Sequence, residues 1–90
     1  MKIDVYDTYA KDNEGKKIHF DVLVESKTTK DQAYRYALEF IKSIGSNNIS
    51  LEQNMCNFCH SELSDDHTTE EIKQKGYSIL QMEGCPNPLG

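Results

Sequence analysis

The sequence predicts an α+β fold: a mixed four-stranded sheet in the chain order β-β-α-β-α-β, with both helices on one face. Three observations carry this. Apolar and polar residues alternate with a period of two in several separate stretches, one longer stretch spaces its apolar residues as a helix does, and Gly, Asn and Asp residues mark the boundaries. Ninety residues at 10.3 kDa suit one compact unit, expected over 1–85 with a tail at 86–90.

In the first strand Ile3, Val5, Asp7 and Tyr9 alternate with Lys2, Asp4, Tyr6 and Thr8, which gives one more apolar side. In the second, over Lys17 to Val24, Ile18, Phe20, Val22 and Val24 oppose His19, Asp21 and Leu23. The two apolar sets are expected to share a buried face. Between them Asp12-Asn13-Glu14-Gly15 has the residues of a hairpin loop. A helix follows from Thr29, which forms a capping box with Gln32; Ala33, Ala37, Phe40, Ile41 and Ile44 are its core stripe, and Gly45 offers a left-handed cap.

The stretch Ile49 to Met55 alternates again and is expected to be the third strand. Thr68 and Glu71 resemble a second capping box, opening a short helix to about Lys75 that Gly76 ends; Ile72 is nearly its only apolar residue. Tyr77 to Met82 is apolar on both sides, which predicts a fourth strand inside the sheet. A right-handed crossover through the second helix would make strands three and four parallel. Cys56 and Cys85 would then leave the sheet at one edge.

A net charge of −5 with dispersed lysines argues against nucleic acid as a partner. No apolar run has the length that crosses a bilayer, and the opening MKIDVYDTYA lacks the layout of a secretory signal. A cytoplasmic location is therefore expected. Thiols stay reduced there, so an odd count of three cysteines favours free, metal-bound or catalytic thiols over disulfides. There is no glycine-rich phosphate loop, nucleophile elbow or His-Glu-x-x-His string, so an enzyme is not the leading expectation.

Chemistry concentrates in Cys56-Asn57-Phe58-Cys59-His60, with Cys85 further on. Cys-x-x-Cys can aim two thiolates at one zinc ion, Cys85 would add a third ligand, and His60 or His67 a fourth. The expected site is therefore zinc on Cys56, Cys59, His60 and Cys85 in a binding or accessory module. The alternative is a metal-free interaction domain whose cysteines are packed and reduced. Cys-x-x-Cys-His is also the string for haem attachment, with Met82 as an axial sulfur, but the absent export signal speaks against it. Thiol redox chemistry, with Cys85 as resolving thiol, is a further alternative; Glu62, Asp65 and Asp66 nearby would oppose a thiolate.

On the less apolar side of the hairpin, His19 with Asp4, Asp21 and Tyr6 could assemble a His-carboxylate pair or a weak metal site, unless that face is simply solvated. Asp7 is unusual, an acid amid the apolar alternation, and is expected to hydrogen-bond a neighbour. The outer sheet face would show Leu23, Leu80 and Met82, an apolar strip that a homodimer would cover.

Four ordered motifs add a resemblance: Val5-Tyr6-Asp7-Thr8-Tyr9, Ile18-His19-Phe20-Asp21-Val22, Cys56-x-Phe58-Cys59-His60-Ser61 and Gly76-Tyr77-x-Ile79-x-x-Met82-Glu83-Gly84-Cys85. Over nearly its whole length the chain resembles a family of small bacterial proteins known only as a domain of unknown function. The resemblance implies a stand-alone α+β fold in a bacterial cytoplasm and implies no activity.

Overall fold

A computed structural model describes residues 1–44 and 49–82. The elements are β1 (Lys2–Lys11), β2 (Lys17–Glu25), α1 (Lys30–Ser43), a 3-10 turn (Gln53–Met55), β3 (Cys56–Leu63), α2 (Asp66–Lys75) and β4 (Tyr77–Gln81). The α+β class and the element order are those expected. No helix among the described residues is long and apolar enough to cross a membrane.

The hairpin forms as its turn residues dictate. The Asp12 carboxylate accepts the backbone N–H groups of Glu14 at 2.9 Å and Lys16 at 2.8 Å, and Gly15 takes φ +81°, so β1 and β2 close at Lys11 opposite Lys17. Thr29 caps α1 by accepting Gln32 N–H at 3.1 Å. The expected cap at Gly45 lies outside the described residues. In α2 the cap is Asp65 instead of Thr68, its carboxylate accepting Thr68 N–H at 2.7 Å, and Gly76 ends the helix at φ +93°.

The sheet departs from expectation in its topology. Its strand order is β3-β1-β2-β4 and every neighbouring pair is antiparallel, so the sheet is not mixed. β3 and β4 stand at opposite edges and run in opposite directions. Parallel strands are only next-but-one neighbours, β2 with β3 across β1 and β1 with β4 across β2, and α1 is the helix of the β2-to-β3 crossover. β4 is an edge strand despite its apolar composition: among the described residues it pairs only with β2, Tyr77 and Ile79 pack toward α1, Ser78 is buried on the α2 side, and Leu80 is half exposed.

The third strand is also displaced. Ile49 to Met55 is a connector that makes a single bridge, Ser50 to Lys11, and drops Leu51 into the core. The strand is the cysteine segment itself. Its sequence CNFCHSEL shows no alternation because an edge strand pairs on one side only and here buries only its first residue.

The helices lie on opposite faces, not on one. Directly opposed residues of an antiparallel pair share a face, and the register sets Tyr6 against Val22 and Val5 against Leu23. Tyr6, Thr8 and Ala10 therefore join Ile18, Phe20, Val22 and Val24 beneath Ala33, Ala37, Phe40 and Ile41 of α1. Ile3, Val5 and Leu23 form a smaller core on the other face, closed by Ile72 of α2. The apolar sets of the two strands thus do not coincide, since each strand has something to bury on both sides. α2 also ties to β4 through Ser78, whose hydroxyl donates to Glu71 at 3.1 Å. Ile72 removes Leu23 from the outer apolar strip, which keeps Leu80 and Met82 exposed.

Candidate functional site

α2 roofs the end of its sheet face that carries Ile3, Val5 and Leu23; toward the hairpin turn the same face carries Asp7, Tyr9, His19 and Asp21. Closing the hairpin at Lys11 and Lys17 determines every pairing, and it sets Asp7 opposite Asp21 and Tyr9 opposite His19. All four side chains share one face as a result.

His19 is the hub. Its Nε2 donates to Asp7 Oδ1 and lies 4.0 Å from Asp21 Oδ1. The Tyr9 ring stacks on the imidazole, centroids 4.2 Å apart and planes 10° from parallel, which holds the His19 ring in place. One ligand atom from each of Asp7, His19 and Asp21 lies within 4.8 Å of the others. Burial, a hydrogen bond with Asp7 and the charge of Asp7 push the Asp21 carboxyl above its ordinary value, against the opposing pull of His19 and His60. Two carboxylates this close favour holding one proton between them, and a cation can take that proton's place. Chemically the cluster offers two oxygens and one nitrogen to a divalent ion, or a carboxylate and imidazole set for moving protons.

Asp4 and Tyr6, expected beside His19, lie on the opposite face. Asp4 accepts Lys27 N–H at 3.0 Å and the Ser61 hydroxyl at 2.7 Å, and Tyr6 donates to the Thr28 carbonyl at 3.2 Å. Both are structural ties between strand and loop. Asp7 takes the place assigned to Asp4. Its sequence signal was its misfit among Ile3, Val5 and Tyr9, and the hairpin register would have supplied its partner.

Cys56 is fully buried beneath α1, where the Thr8 hydroxyl donates to its sulfur at 3.5 Å and burial pushes the thiol pKa up. Cys59 is exposed, with His60 Nδ1 3.2 Å from its sulfur. His67 sits on the solvent side of α2 and bonds Glu71 at 2.9 Å. Cys85 lies outside the described residues. The row Cys56, Thr8, Phe20 and Gln81 crosses the whole sheet, so Cys56 and the end of β4 are about 14 Å apart at three strand spacings. β3, which carries Cys56 and Cys59, and β4 therefore stand at opposite edges of the sheet, where the sequence predicts that the third and fourth strands end at one shared edge. Among the described residues, the metal-binding set of three that the fold does gather is Asp7, His19 and Asp21.

A comparison with curated proteins found no match. Among solved structures, the NMR structure of protein NE1680 from Nitrosomonas europaea, a structural genomics target, is similar at a TM-score of 0.82 and 42% identity, covering 96% of this chain and 100% of that one. The model of a family described as a domain of unknown function, DUF2024, matches residues 1–82, the full extent of the sheet and both helices. By that match and that shared fold, the chain belongs to the DUF2024 family.

Proposed function

We propose that this protein is a small binding module that takes up a divalent cation, zinc first among them, at Asp7, His19 and Asp21. The observation that carries this reading is the convergence of three ligand atoms within 4.8 Å on a part of the sheet that α2 leaves uncovered. An imidazole and two carboxylates are a donor set that zinc accepts, and three protein ligands leave a coordination position for water or a bound molecule. A cation also relieves the cost of burying the Asp21 carboxylate beside the half-exposed carboxylate of Asp7. Tyr9 acts behind His19 by orienting its ring. All three ligands come from one hairpin, so a second copy is not needed to complete the site.

Zinc content after purification without added metal, followed by calorimetric titration, tests this. One equivalent is expected in the wild type, with loss in Asp7→Asn and Asp21→Asn and retention in Cys59→Ser. The reverse pattern would assign the ion to Cys56, Cys59, His60 and Cys85 and overturn the hairpin site. A wild type that takes up no zinc would remove both sets.

A further inference from the structure

Cys59 and His60 are neighbours in a strand, and in a regular strand their side chains would point to opposite faces. A β-bulge prevents this. Tyr6 pairs with Phe58 and Val5 with His60, so Cys59 has no partner across the ladder. The broken alternation sets the Cys59 sulfur 3.2 Å from His60 Nδ1. Two residues on, Glu62 returns to the side of His60, and its Oε1 lies 3.4 Å from His60 Nε2. Thiol, imidazole and carboxylate thus stand in series along an open sheet edge, all of them exposed. One imidazole tautomer satisfies both contacts: with the proton on Nε2 facing Glu62, Nδ1 is free to accept the proton of the thiol. A nucleophile within reach of a base that a third group orients is the arrangement that activates cysteine.

We infer that Cys59 is a nucleophilic thiol that exchanges with small-molecule disulfides, with His60 as its base and Glu62 as the residue that positions His60. In the step, Cys59 gives its proton to His60 Nδ1 and its sulfur bonds one sulfur of the disulfide. The disulfide bond breaks, and the departing thiolate takes the proton back from His60. Cys59 is oxidised to a mixed disulfide while the other half of the reagent leaves as a reduced thiol. Cys56 does not resolve the adduct, because it is buried beneath α1. Among the described residues β3 pairs only with β1, and that edge admits the reagent.

The test uses the full chain with glutathione disulfide at about neutral pH, the adduct being located by peptide mass spectrometry over time. The adduct is expected on the Cys59 peptide, and His60→Gln should slow its formation about tenfold or more, as loss of a general base does. Equal rates in the two proteins, or adducts that bypass Cys59, would overturn the assignment. Nitrogen NMR of the His60 ring gives a second reading that needs no variant of His60. The Nε2–H tautomer is expected as the single form in the wild type and as part of a mixture with Nδ1–H in Glu62→Ala; a wild-type ring protonated on Nδ1 would overturn the proposal. Neither measurement depends on the hairpin cation site.

Discussion

Asp21 bears a cost in the fold that its neighbours Asp7 and His19 explain. Because burial and Asp7 raise its pKa above the unfolded value, folding takes up a proton between those two values, and this group costs stability as the pH rises through that window. The cost is complete once the pH lies above the raised value. With metal chelated from both proteins, Asp21→Asn, which keeps the shape without the charge, should therefore stabilise the fold by about 1 kcal/mol near pH 7 and by nothing near pH 3, where the acid is already neutral. Urea denaturation at the two pH values measures the difference. A variant that gains stability while losing the cation would mark Asp21 as kept for binding, not for folding.

At the scale of elements, α2 has one apolar anchor, so its ends matter unusually. Gly76 holds φ +93°, and a Cβ there would meet the Tyr36 hydroxyl oxygen at 2.5 Å. Gly76→Ala should cost about 2 kcal/mol from the left-handed backbone and that contact, read as a fall in thermal midpoint. Tyr36 also stacks on Tyr77 at 4.7 Å, so the same turn joins α1, α2 and β4. The element most poorly legible in the sequence was β3. Its polar residues carry no alternation, whereas Ile49, Leu51 and Met55 imitate a strand by packing a connector onto the core.

For the molecule as a whole, the sheet separates two cores that do not share side chains: the larger beneath α1 and the smaller beneath α2. Ile41→Val and Ile72→Val should each cost about 1 kcal/mol, and the double variant should match their sum within about 0.5 kcal/mol. Denaturant unfolding of the three variants checks this; strong coupling would mean that strain passes through the sheet. Among the described residues, the same two-sided architecture leaves β3 and β4 as opposite edges and leaves the hairpin end of the α2 face outside the cluster that Ile72 closes. Both sites inferred above stand on those parts.

Local chemistry was enough for the hairpin, with Asp12 and Gly15 shaping its turn, for α1 with its Thr29 cap, and for the α+β class in its correct element order. These features depend on contacts a few residues apart. Alternation in a strand tells which residues share a side but not which side meets which helix, and that depended on the register between β1 and β2. The register moved Asp7 beside His19, sent Asp4 to the far face and left Ile3, Val5 and Leu23 for α2. Likewise Cys-x-x-Cys-His reads as one cluster along the chain, yet strand pairing buries Cys56 and a bulge exposes Cys59 beside His60. Long-range pairing decides such placements, because the energy that selects them comes from partners far away in the sequence.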